Sequence, residues 1–199
     1  MIRTPSGREI FLAQLKAYML EDELEHIHAA YVFAKYGHRE QTRKGGERYF
    51  EHPKAVANIL IRELHIRDDW QLVVTALLHD LLEDSWLLSE DRVRKNFGRR
   101  VAWWVKLLTK ETENDYYDRL REAPWQPILV KFCDRLHNLR TLDACEAAKR
   151  QRKLDETRRY FPALATALLS RIPRKHRSSA LYVTGAVANF CTDKVRQLQ

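Results

Sequence analysis

WQLVVTALLHDLLEDS, residues 70–85, is the stretch whose reading decides the fold of this chain. Its apolar positions are 70, 72, 73, 74, 76, 77, 78, 81 and 82. On a 3.6-residue turn these cover nearly every face, so the spacing predicts a helix over 69–83 inside a core rather than on a surface. His79, Asp80, Glu83 and Asp84 interrupt that pattern. Carboxylates in such a place are costly unless something pairs with them.

Spacing within the segment narrows what the partner can be. His79 and Asp80 are adjacent, about 100° apart around a helix axis, and can face one neighbouring space together. Glu83 follows His79 at i+4 and Asp80 at i+3, and Asp84 follows Asp80 at i+4. A histidine and a carboxylate from one helix make half of a mixed nitrogen and oxygen metal site. Two candidates stand out elsewhere. His52 closes the loop QTRKGGERYFEHP (41–53), where Pro53 suits a first helical turn. Asp134 lies in VKFCDRLHNLRTL (130–142), a helical pattern in which Asp134, Asn138 and Thr141 recur as a polar stripe beside buried Ile128, Leu129, Phe132, Leu136 and Leu139. Two imidazoles and two carboxylates suit Mn²⁺, Fe²⁺ or Zn²⁺ better than Ca²⁺ or a thiolate-loving ion.

The remaining chain is helical in pattern throughout. With 6 glycines, 6 prolines and no Asn-Gly or Asp-Gly hairpin signal between alternating runs, nothing marks a sheet. Helices are predicted near 7–19, 21–37, 53–64, 69–83, 89–96, 98–108, 114–121, 126–143, 154–170 and 177–196. Asp68 or Asp69 caps the fourth and Ser89 starts the fifth. Gly98 separates the fifth from the sixth, and Pro173 stops the ninth. The expectation is an all-α bundle with a buried metal site.

At 199 residues and 45% apolar content the chain reads as one domain, 1–199, able to bury about 70% of its unfolded surface. No apolar run approaches the ~20 residues of a membrane span, and the N-terminus lacks the apolar core and cleavage site of a secretory signal. Cys133, Cys145 and Cys191 form no CxxC or Cys/His cluster, which favours a reducing cytoplasm and argues against a thiolate metal site. Residues 1–140 carry 23 Lys+Arg against 22 Asp+Glu, whereas residues 141–199 carry 12 against 5. Almost the whole excess of +8 therefore lies in the last third, in KRQRK (149–153), RR (158–159) and RIPRKHR (171–177). Such a patch attracts anions or an acidic partner, but no aromatic interleaving or nucleic-acid motif accompanies it, which argues against nucleic acid. Neither a homo-oligomer nor a monomer is favoured by the sequence.

Taken in order, five blocks resemble the hydrolase domain of the RelA/SpoT-homologue family, a branch of the HD superfamily of metal-dependent phosphohydrolases. They are GHREQTRKGGERYFEHPKAVANIL (37–60), TALLHDLLEDS (75–85), FGRRVAWWVKLLTK (97–110), ILVKFCDRLHNLRTL (128–142) and, more loosely, ETRRYFPALATAL (156–168). The match covers about residues 21–170, with a basic helical extension at 171–199, and suggests a stand-alone small alarmone hydrolase. The resemblance implies that His52, His79, Asp80 and Asp134 are metal ligands, one Mn²⁺ per site. It implies that Glu83 and Asp84 orient and activate water, and that Arg43, Lys44, Asn138 and Thr141 line a nucleotide pocket. The implied reaction is removal of the 3′-diphosphate from guanosine 3′,5′-bis(diphosphate) or its pentaphosphate relative. KETENDYYDRLREAPWQP (110–127) is shorter and more acidic than its counterpart in long members and has no lysine between Lys110 and Lys131. Base and phosphate preference therefore stay open to an adenosine alarmone or the 2′-phosphate of NADPH. A non-catalytic module acting through the basic final third is the remaining alternative.

Overall fold

The computed structural model describes residues 6–84, 89–110 and 113–197; the side chains of residues 84, 113 and 114 lie outside the described ones. In chain order the helices are α1 (Gly7–Ala13), α2 (Glu21–Gly37), α3 (Glu51–Asn58), α4 (Trp70–Leu78), α5 (Leu81–Asp84), α6 (Glu90–Leu108), α7 (Glu113–Arg121), α8 (Trp125–Arg140), α9 (Ala147–Arg171) and α10 (Arg177–Gln197). Among the described residues the only β pairing is an isolated bridge between Thr42 and Arg48. The bundle is all-α, as the apolar spacing implies.

The helix ends follow local chemistry. Ser6 caps α1 reciprocally with Glu9, the Asp69 side chain accepts from the Leu72 amide at the start of α4, and Ser89 caps α6. Gly98, non-helical at φ 84° and ψ 167°, divides α6 into two helical segments joined at a kink, in agreement with the separation the sequence suggested; a residue with a Cβ would be strained there. The first helix stops at Ala13 rather than 19, and α9 begins at 147 because the basic KRQRK run is itself helical.

Helix α4 forms the centre. Every residue from Leu72 to Leu78 is buried, and the helix packs against α2, α3, α6 and α8. The predicted helix over 69–83 is, however, interrupted. It ends at Leu78, residues 79 and 80 form a turn, and α5 restarts at Leu81. His79 and Asp80 thus stand at a break whose side chains turn inward, instead of lying along a continuous helix. Helix α3 continues into a π-helical turn, Ile59–Glu63, and the Glu63 carboxylate there receives both Arg140 guanidinium nitrogens of α8 at 2.6 and 2.8 Å. Helix α10 lies across α8 and α9. Helices α3, α4 and α8 are therefore fixed against one another, and the three bring His52, the His79–Asp80 pair and Asp134 to their junction.

Candidate metal centre and its cleft

His52 occupies the first turn of α3, His79 and Asp80 the break after α4, and Asp134 the middle of α8. One ligand atom from each of His52, His79 and Asp80 lies within 4.8 Å of the others. The two oxygens of Asp80 sit 3.3 Å from His52 Nε2 and 3.1 Å from His79 Nε2. Oδ1 of Asp134 comes from the opposite helix to 3.2 Å from His52 Nε2 and 3.9 Å from His79 Nε2. Both histidines are nearly inaccessible to solvent, and Asp134 is buried with them.

The hydrogen bonds fix the tautomers. His79 Nδ1 lies 2.8 Å from the Ala76 carbonyl, which can only accept, so the proton is on Nδ1 and Nε2 carries a lone pair. That Nε2 makes no hydrogen bond, although Asp80 Oδ1 is 3.1 Å away. For His52 the logic runs through a neighbour. Arg43 Nη1 can only donate, and it lies 3.3 Å from His137 Nδ1, which must therefore accept. His52 Nδ1 is 2.8 Å from the same His137 atom, so His52 is the donor there and its Nε2 also carries a lone pair. With both rings neutral, two imidazole lone pairs and two carboxylates thus converge on one space. Such a set repels itself unless a cation sits among its atoms, and its nitrogen and oxygen composition fits a divalent transition ion.

Charge around the centre supports the same reading. Burial alone would lower the His79 imidazole, but the Asp80 and Asp134 carboxylates overcome it and push it up to about 9, so a proton on Nε2 neutralises the cluster wherever a cation does not, and a cation must displace it. Burial would raise Asp80 and Asp134; the two imidazoles hold Asp80 well below the carboxylate range, and the Lys131 ammonium, 3.0 Å from Asp134 Oδ2, is the main influence that does so for Asp134. His137 is pushed down to about 3, by burial first and then by its neighbours His52 and Arg43, which keeps it neutral and able to accept. The Tyr49 hydroxyl donates to Asp80 Oδ2 at 2.9 Å, and Asn138 Nδ2 donates to Asp134 Oδ1 at 2.5 Å. Every first contact is itself held in place.

Above the cluster opens a cleft of about 290 Å³. It is lined by eight of the ten residues singled out in the sequence: Arg43, Lys44, His52, Asp80, Glu83, Asp134, Asn138 and Thr141. His79 lies directly behind Asp80, and the side chain of Asp84 lies outside the described residues. Arg43 Nη2 reaches Asn138 Oδ1 at 3.1 Å and Thr141 Oγ1 at 3.5 Å, joining the loop to the polar stripe of α8. Lys44 pairs with the exposed Glu146. Glu83 is exposed at the cleft wall rather than buried, because α5 restarts beyond the break; its carboxylate accepts the backbone N–H of Lys110.

Several lining residues were not foreseen. His137 bridges His52 and Arg43; its i+3 spacing from Asp134 was the available signal. Lys131, Lys149 and Lys153 also line the cleft, so part of the basic final third faces inward toward it. Lys149 and Lys153 share an i+4 spacing within the KRQRK run. Tyr49 carried no sequence signal beyond its place in the loop. Cys133, by contrast, is a fully buried core thiol raised by burial, in keeping with a packing role.

The all-helical frame and its histidine–aspartate cluster define an HD domain, and residues 30–126 match the HD-domain family model. The chain is, more closely, an HD domain of the SpoT/RelA type. It is 34% identical over 167 residues to the bifunctional (p)ppGpp synthase/hydrolase SpoT of Escherichia coli (strain K12), covering 77% of this chain and 23% of that protein. It is 36% identical over 154 residues to a guanosine-3′,5′-bis(diphosphate) 3′-pyrophosphohydrolase of Aquifex aeolicus, covering 72% of this chain and 22% of that one. The chain thus spans under a quarter of the length of the curated relatives it matches. Among solved structures, a metazoan ortholog of SpoT described as hydrolysing ppGpp shares the fold at a TM-score of 0.61 and 23% identity, over 91% of this chain and 96% of that one. No helix among the described residues is long and apolar enough to cross a membrane.

Proposed function

We propose that the chain is a metal-dependent (p)ppGpp 3′-pyrophosphohydrolase. One observation supports this above the others: two imidazole lone pairs and two carboxylates converge at the floor of a cleft whose walls carry Arg43, Lys44, Lys131, Lys149 and Lys153. The floor calls for a cation and the walls for a ligand with several negative charges. The activity named for the SpoT-type relatives matches both demands.

His52, His79, Asp80 and Asp134 would hold the ion, which we take as Mn²⁺. When bound it lowers the pKa of water and offsets the charge of the phosphate under attack. The protein's own groups do the rest. Glu83, held by the Lys110 amide and open to the cleft, receives the proton of the attacking water. Asp84 assists in orienting that water. Arg43 is fixed by His137, Asn138 and Thr141, so its guanidinium meets the substrate already oriented. Lys44 supplies a second cation from the same loop. The reaction consumes one water; the ribose 3′ oxygen leaves with a proton, and pyrophosphate is released with GDP or GTP.

The test uses metal-stripped protein with and without Mn²⁺, offered ppGpp, ppApp and NADPH, with products separated by anion exchange. Mn²⁺-dependent pyrophosphate release from ppGpp is the expected result. Pyrophosphate from ppApp alone would reassign the base, inorganic phosphate from NADPH alone would make the site a 2′-phosphatase, and no product from any substrate would remove the hydrolase reading.

A further inference from the structure

We propose a second anion site, separate from the metal cleft, that takes a nucleoside polyphosphate. It is the groove of about 820 Å³ bounded by α1, α2 and the far face of the 41–50 loop. Arg8, Lys35, Arg39 and Arg48 line it, against Glu51 as the one carboxylate among its lining residues. Glu51 is taken up by Lys54. Arg39 pairs with Glu40 at 2.9 Å, whereas among the described residues no carboxylate pairs with Arg8, Lys35 or Arg48. Three cations on three different elements therefore face one space with their charge uncompensated, and all three are exposed at its wall. A ligand with three or four negative charges matches them.

An aromatic surface beside the cations points to a nucleoside rather than to bare phosphate. Tyr36 is 56% exposed and Val32 43% exposed, and both line the same groove. The Arg39 guanidinium lies over one face of the Tyr36 ring, 4.3 Å from its centre, which holds the ring in place and leaves the opposite face as the one a base can stack on. Base stacking on such a ring is tolerant of base identity. The volume also falls within the range of small-molecule sites, well beyond what a single phosphate needs.

The groove and the metal cleft share one wall and no lining residue. The loop turns Arg43, Lys44 and Tyr49 into the cleft and Arg48, Phe50 and Glu51 into the groove. Backbone hydrogen bonds Arg43 N to Glu47 O and Tyr49 N to Gln41 O tie its two arms together. His38, buried at the floor of the groove, stacks on Tyr49 at 4.7 Å, and the Tyr49 hydroxyl reaches Asp80. An occupant gripped by Lys35 and Arg48 is thus two side chains away from a metal ligand.

The experiment is calorimetric titration of the full chain with ATP in metal-free buffer. Two double variants separate the sites: Arg43→Ala with Lys44→Ala in the cleft, and Arg8→Glu with Lys35→Glu in the groove. ATP binding that survives the first and weakens about tenfold or more in the second is expected, roughly the contribution of one charge-assisted contact. The milder Arg8→Gln with Lys35→Gln pair, checked for an unchanged melting temperature, guards against misfolding and should weaken binding in the same direction. Binding abolished by the cleft pair and untouched by either groove pair would overturn the second site. Inorganic tripolyphosphate binding as tightly as ATP, with Tyr36→Ala without effect, would overturn the nucleoside assignment. Because nothing is turned over, these outcomes stand apart from whether the metal cleft hydrolyses ppGpp.

Discussion

Replacing His137 with phenylalanine keeps a ring in place and removes one acceptor. In the native arrangement His137 Nδ1 receives the His52 Nδ1–H at 2.8 Å and the Arg43 guanidinium at 3.3 Å. His52 is only 2% exposed, so its N–H would find no water in exchange. A buried donor left in this way costs about 1–3 kcal/mol. That cost falls on the one orientation of His52 that aims Nε2 at Asp80 and Asp134, so it is felt when metal is bound. Loss of an outer partner of a metal histidine typically weakens affinity about 10–100-fold, which is about 1.4–2.7 kcal/mol and agrees with the first figure. The assay is the Mn²⁺ dissociation constant from competition with a chelator, for wild type, His137→Phe and His137→Gln. The glutamine variant offers an acceptor oxygen and should recover most of the affinity. A phenylalanine variant that holds Mn²⁺ within twofold of wild type would refute the tautomer argument, and with it the claim that His52 presents a lone pair to the cluster.

Further expectations follow from the same geometry. Asp134→Ala should lose metal and activity together, because it removes a carboxylate 3.2 Å from His52 Nε2 and leaves the half-buried Lys131 ammonium without that partner; metal retained at wild-type stoichiometry would remove Asp134 from the ligand set. Glu83→Gln should keep metal but lower turnover by about 10²–10⁴-fold, the usual contribution of a general base, and a variant within fivefold of wild type would end its assignment to that role. The Glu156 carboxyl is penalised by burial but held down to about 2 by Lys153, Arg135 and Lys110, Arg135 at 3.0 Å. Its folded pKa lies below the ordinary 4.5, so its stabilisation is complete above that value and is lost as pH falls toward about 2. Glu156→Gln should therefore cost about 3 kcal/mol in denaturant unfolding at pH 7, with the difference from wild type shrinking below pH 4.5; a pH-independent difference would contradict the ion pair.

Legibility in the sequence varied with the kind of signal. The all-α architecture and helix α2 at Glu21–Gly37 could be read because apolar spacing and caps are local properties. The break at His79 and Asp80 could not: Leu81 is as buried as Leu78, so the apolar pattern runs on across a turn that only the inward pull of the two polar side chains reveals. The same break explains why Glu83 emerged at the cleft wall when the pattern placed it in the core. Among the cleft residues, His52 was read as a candidate from its place at the close of the 41–53 loop and Asp134 from the polar stripe on its helix, whereas His137 and Tyr49 act through partners distant in sequence, Arg43 and Asp80, that spacing within one helix cannot disclose. Lys149 and Lys153 were visible only as part of a charge run, and which side of α9 faces the cleft depends on how α9 packs on α8.

The π-helical turn at Ile59–Glu63 behaves as a length adjuster on a strut. It fits one more residue into its coil than an α-turn would, and so carries Glu63 round to Arg140 on α8 and to the Tyr182 hydroxyl on α10 at 3.1 Å. Arg140 is six residues from Asp134 and Glu63 eleven from His52, so this clamp lies at the far end of the same two rods that meet at the candidate metal centre. Deleting one residue from the turn would restore an α-coil, rotate everything beyond it by about 100° and open the clamp. The candidate metal centre is thereby gauged from the opposite end of the bundle, and a chain that shortened this turn would keep His52, His79, Asp80 and Asp134 and still mis-set the distances between them.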